Sequence, residues 1–196
     1  ISNYLRSHNM GDLNVKYKEI ARLLFFIGAV LYGCIIIGLD DLFRLMPDYS
    51  KLQPTIPIIE ILGFSVLINM ATGFNGEIIT YSKYYRFNLV AVLMLIVLNV
   101  SLNILFIGGG YGIVGVAWAS FISMTLFNIS KLIFIYNKFG LLPFDKKFLQ
   151  MGIVFAVTGI VVYFLPSHAS HLVTLTYKTL LYMAGTIIII YKFRMV

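Results

Sequence analysis

The side chains best able to do chemistry in this sequence sit where hydrocarbon would be expected. Glu60, Asn69, Thr72, Asn75 and Glu77 fall in one long apolar stretch, Asn99 and Asn103 in the next, and Lys178 in the last. Polar and ionisable groups at membrane depth are costly. They face protein or water, and they often mark the route of an ion or a polar cargo. Amides also bond one helix to another, and Glu77 and Lys178 lie close enough to the ends of their stretches to snorkel. Five polar side chains interleaved with Gly63, Gly73 and Gly76 exceed what a single helix contact needs. A polar face along an aqueous path is therefore expected for that stretch. Asn99 and Asn103, one turn apart, share a helix face. Glu60 and Lys178 each lie ~9 Å below the outer ends of their helices at 1.5 Å per residue. They are expected to neutralise each other at similar depth.

Other motifs carry less. Gly110, Gly112 and Gly115 fit G-x-G-x-x-G, but a dinucleotide site needs a preceding strand and an acidic residue ~20 positions on. Here an apolar stretch precedes, and the next acid is Asp145. Gly115, Ala119 and Ser123 instead form a small-residue face suited to close helix contact. His168 and His171 have a metal-compatible spacing but no Cys or carboxylate neighbour in sequence, so a solvated turn is expected and no metal. The N-x-S matches at Asn99 and Asn128 fall inside apolar stretches, where no glycosylating enzyme reaches them. No Ser/His/Asp or Cys/His set and no paired carboxylates stand out, which argues against an enzyme.

The elements that must position these groups are six apolar runs, at 20–39, 55–80, 87–107, 111–136, 148–166 and 172–191. Each has about the 20 residues that a helix needs to cross a ~30 Å hydrocarbon core. The composition is 60% hydrophobic and 12% charged, with a mean hydropathy of +0.91. Disorder is excluded and an ordinary globular domain disfavoured. The expected fold is an all-α, polytopic transmembrane helical bundle of six spans. It divides into an amphipathic cytoplasmic segment (1–19), four spans (20–136), a cytoplasmic linker (137–147) and two peripheral spans (148–196). The lone Cys34 excludes an intrachain disulfide.

Charge sets the orientation. Twelve of the 15 lysines and arginines fall in the regions that lie on one side if every run crosses. They include Arg6, Lys16, Lys18, Arg22, Lys83, Arg86, Lys131, Lys138, Lys146, Lys147, Lys192 and Arg194. The other side carries Arg44 and Lys51 beside Asp40, Asp41 and Asp48. The positive-inside rule then places both termini in the cytoplasm. Because these cations are spread over loop ends rather than gathered on one face, the net charge of +7 points to membrane topology and not to nucleic acid.

Residues 81–123, YSKYYRFNLVAVLMLIVLNVSLNILFIGGGYGIVGVAWASFIS, resemble the C-terminal half of bacterial polysaccharide (O-antigen or lipid-linked oligosaccharide) flippases. These belong to the multidrug/oligosaccharidyl-lipid/polysaccharide exporter superfamily. The likeness lies in a basic turn, a helix ending in Asn99 and Asn103, and a Tyr-Gly turn followed by Gly115, Ala117 and Ala119. It extends loosely over about 10–136. Gly108–Gly110 depart from it, standing where the family usually has a proline and a charged residue. The resemblance implies a transporter of the bacterial inner membrane. Such a protein carries a polyprenyl-diphosphate-linked oligosaccharide across by alternating access, with a proton or sodium gradient as the conceivable coupling and no bound cofactor. Its partners would be membrane lipids, the lipid-linked oligosaccharide and a missing N-terminal half, since a chain opening on Ile1 reads as a piece of a longer protein. Two alternatives stay open. One is a cation-coupled drug or metabolite antiporter of the same superfamily, working through Glu60 or Glu77. The other is part of an integral-membrane glycosyltransferase or acyltransferase, for which Asp145 is the acidic residue at the membrane face.

Overall fold

The computed structural model describes residues 10–168 and 170–193. The expected inner cations Arg6 and Arg194, and the first nine residues of the expected 1–19 segment, lie outside them. Helices α1 (Met10–Arg44), α2 (Tyr49–Leu52), α3 (Ile56–Ala71), α4 (Asn75–Thr80), α5 (Tyr85–Gly108), α6 (Gly112–Phe139), α7 (Lys146–Tyr163) and α8 (His171–Lys192) make up the bundle. A 3₁₀ turn over Gln53–Thr55 joins α2 to α3. Six helical spans are long and apolar enough to cross a membrane, with α2, the turn and α3 together forming the second. The architecture is all-α and multi-pass.

Its surface is inverted relative to a soluble protein. On α5, Ala91 is the buried residue while Leu93, Met94, Val97 and Ile104 stand outward. In water such an apolar face would drive association, and in a bilayer it is the solvated one.

The helices pack side by side. α5 lies on α6, α6 on α3, α3 on α1, and α1 on both α7 and α8. Small residues set the spacing. Gly115 meets Phe106 so closely that a Cβ there would sit 2.9 Å from the Phe106 Cβ, and Ala119 and Ser123 on the same face are fully buried. On α1, Gly33 lies under the ring of Tyr182, whose hydroxyl donates to the Ala29 carbonyl at 2.9 Å.

Two cores result. Val30, Ile37, Met151, Phe155 and Tyr182 join α1, α7 and α8. Leu13, Tyr17, Ile78, Ile79, Ile135 and Leu141 close the other end. Residues 10–19 are thus the first turns of α1, continuous with its span, and they bury Leu13 and Tyr17 in that second core. Helix α6 ends on Gly140 in the left-handed conformation (φ 67°). Helix α7 begins on Asp145, whose side chain accepts from the Phe148 N–H at 2.8 Å, an N-cap.

Charged contacts separate the two ends of the bundle. Arg22 pairs with Asp145 at 2.6 Å at the cation-rich end. At the other end Asp41 meets His171 at 2.7 Å, near the Asp40–Arg44 and Asp48–Lys51 pairs.

Candidate functional site

The second apolar run, 55–80, is not one helix in the structure: the spanning helix ends at Ala71 and the short α4 follows. It breaks over 72–74, where Gly73 takes φ +65°, a left-handed conformation that a residue with Cβ adopts at a cost. The position also has little room, because a Cβ on Gly73 would lie 3.1 Å from that of Ala21. The break is therefore level with the start of the α1 apolar run, near the cation-rich end of the bundle. Asn75 and Glu77 lie beyond it on α4, at the end of the run where Glu77 was expected to snorkel, rather than on the same helix as Glu60 and Asn69.

The break is held by an amide cluster. Asn128 on α6, 1% exposed, accepts through Oδ1 from Thr72 Oγ1 at 3.2 Å and from Asn75 Nδ2 at 3.3 Å. Its Nδ2 donates to Asn69 Oδ1 at 3.2 Å and to the Met124 carbonyl at 3.0 Å. Tyr17 donates its hydroxyl proton to the Thr72 carbonyl at 3.1 Å, supplying a donor for an acceptor left over by the interrupted helix. Four expected or unexpected polar groups on α3, α4 and α6 thus meet at one point. Asn128 is its hub, a role that sequence reasoning missed. The small-residue face of α6 gave no signal for it: at 3.6 residues per turn Asn128 lies on the side of α6 opposite Ala119, where it meets Asn69, Thr72 and Asn75. Glu77 stays outside the cluster and is exposed, and Asn69 is exposed on its other side.

The remaining expected residues fall elsewhere. Asn103 Nδ2 donates to Asn99 Oδ1 at 3.0 Å, and Asn99 Nδ2 to Ser120 Oγ on α6 at 3.4 Å, a helix-to-helix bond. Lys178 does not neutralise Glu60. Its Nζ donates at 3.4 Å both to the Tyr163 carbonyl and to Ser167 Oγ, a cation at the C-terminal end of α7 where the helix dipole favours it. Glu60 is on α3, with α1 packed between α3 and α8, and forms no ion pair among the described residues. It lines a cavity of about 660 Å³ between α1, α3 and α7, with aromatic and aliphatic walls. His171 is occupied by Asp41, and His168 stacks edge-on against Tyr177.

These features define a multi-pass membrane protein in which amides buttress a break at the end of the second span. In comparison with known proteins, no family model, curated protein or solved structure matches the chain.

Proposed function

We propose that the chain is part of a bacterial inner-membrane transporter that flips a polyprenyl-diphosphate-linked oligosaccharide by alternating access, for surface polysaccharide synthesis. The observation that carries the reading is the break that ends the second span at Gly73 and splits its apolar run. A helix stopped by a left-handed glycine and re-bonded through side chains is the form in which transporter folds expose backbone and polar groups without leaving them unsatisfied. Glu77, just beyond the break, is exposed, and so is Asn69 although its Oδ1 is held by Asn128. Lipid is a poor neighbour for them, and a second helical lobe with an aqueous path between is a good one. The resemblance of residues 81–123 to polysaccharide flippases supports the same class. Transport without covalent chemistry also agrees with Asp145, whose two oxygens hold the start of α7 and Arg22.

A cation-coupled antiporter is the second reading, favoured by Glu60, which lines the cavity and forms no ion pair among the described residues. Deletion of the whole gene separates the two. Flipping predicts lipid-linked repeat units stranded on the cytoplasmic leaflet and loss of surface polysaccharide. Normal surface polysaccharide with increased sensitivity to lipophilic cations is the antiporter outcome.

A further inference from the structure

The cavity beside Glu60 has an apolar depth that the flippase reading does not use and that a coupling ion at Glu60 would leave unfilled. On α7 its wall runs from Gly152 to Tyr163, and at 1.5 Å per residue that is ~16 Å, half of a ~30 Å hydrocarbon core. It runs from Phe25, one turn past Arg22, to Phe164 at the far end of α7, with Glu60 toward the end away from the cation-rich face. Gly152 and Gly159 leave the floor without side chains, and a Cβ at either would meet nothing closer than 3.7 Å. Phe25, Phe64, Phe155 and Tyr182 line the sides. Glu60, the ionisable carboxylate among the lining residues, lies in the upper part, where Tyr32 fixes its backbone by donating to the Glu60 carbonyl at 3.1 Å. An inorganic cation needs several oxygen ligands, and a single carboxylate among rings does not supply them. An amphiphile with a cationic head does fit: the apolar depth matches one acyl tail of one leaflet, and the carboxylate supplies the complementary charge near the mouth.

We propose that this slot holds a phospholipid of the outer leaflet, one acyl tail lying along α7 and its ammonium headgroup, as in phosphatidylethanolamine, donating to Glu60. The inference does not depend on what the protein transports.

Native mass spectrometry of the full polypeptide in detergent tests it, with phosphatidylethanolamine, phosphatidylglycerol of the same acyl composition and a polyprenyl phosphate as probes. Phosphatidylethanolamine is expected to be retained over phosphatidylglycerol by roughly tenfold, the ratio that a single charge-assisted hydrogen bond confers. Glu60→Gln keeps the Tyr32 bond, which uses the backbone, and is expected to erase that preference without lowering the melting temperature. Gly159→Leu, which fills the floor, is expected to lose both phospholipid adducts. Equal retention of the two phospholipids by the unaltered protein, an unchanged preference in Glu60→Gln, unchanged adducts in Gly159→Leu, or stronger retention of the polyprenyl phosphate would each overturn the proposal.

Discussion

Arg22 Nη1 and Asp145 Oδ2 lie 2.6 Å apart although 123 residues separate them in sequence. The pair fastens the start of α7 to α1, and Asp145 at the same time caps α7 through Oδ1. At the opposite end Asp41 of α1 holds the first residue of α8 through His171. The long first helix is thus the post to which both C-terminal spans are tied, once at each end.

Removing one member of a buried pair leaves the other charge uncompensated, and both side chains here are less than a quarter exposed. Arg22→Ala is therefore expected to destabilise the fold by about 3 kcal/mol. Asp145→Asn keeps a capping oxygen while losing the charge, and is expected to cost less, about 1–2 kcal/mol. Reversible unfolding in mixed micelles measures both, and a double-mutant cycle on the pair returns a coupling of at least ~1 kcal/mol if the contact is made as described.

Asn128 makes a different kind of tie, since it serves three partners on the two segments flanking a break. Asn128→Leu strands Asn75 Nδ2 and Asn69 Oδ1 without their partner, while the Thr72 hydroxyl keeps its bond to the Asn69 carbonyl at 2.8 Å. Helix-to-helix bonds within a membrane average ~0.6 kcal/mol and reach ~1.7, so the expected loss is about 1–3 kcal/mol. Asn75→Ala and Asn128→Ala are expected to be strongly non-additive: the double variant should be little worse than Asn128→Ala alone. Additive effects in unfolding would mean that the two amides act separately.

Gly33 and Tyr182 are matched in size across α1 and α8. A Cβ on Gly33 would fall 2.1 Å from the ring, which cannot yield without giving up its hydroxyl bond to the Ala29 carbonyl. Gly33→Ala is expected to cost about 1–3 kcal/mol through overpacking. In the Tyr182→Ala background the same substitution is expected to be nearly neutral, because the obstructing ring is gone. A full cost in both backgrounds, measured by thermal unfolding in detergent, would show that the contact is not made.

The span count and the cation-rich end of the bundle were legible because both depend on quantities a sequence carries directly: run length against membrane thickness, and the positions of Lys and Arg. The small face of α6 was legible for a similar reason, as Gly115, Ala119 and Ser123 repeat at helical spacing and are buried as a set. The site was only half legible. Residue type marked Asn69, Thr72 and Asn75 as polar groups in an apolar run, but their convergence on Asn128 depends on the turn that the backbone makes at Gly73. Gly73 permits that turn locally, but where it packs depends on contact with Tyr17 and Ala21, 50 or so residues away. Lys178 and Glu60 were placed at similar depth by counting along their helices. Counting fixes height but not azimuth, and the two helices lie on opposite sides of α1.

Sidedness provides the last expectation. Lys83 stands in the turn between α4 and α5, and Lys146 at the start of α7; both are exposed. The Arg22–Asp145 pair and the packing of Phe87 on Phe134, ring centroids 3.8 Å apart, put the starts of α5 and α7 and the end of α6 together at one end. Lys51 and Gly108 are exposed at the other end, and a side chain on Gly108 would meet nothing within 4 Å. In a Cys34→Ala background, single cysteines at 83 and 146 are expected to react with an impermeant maleimide only after the cytoplasmic face is opened. Cysteines at 51 and 108 should react in intact cells. The structure and the charge distribution lead to this partition by separate routes, one from packing and one from the preference of cations for the cytoplasmic side. Labelling of 83 and 146 from opposite faces would require an odd number of crossings between them, which α5 and α6 as an antiparallel pair do not allow.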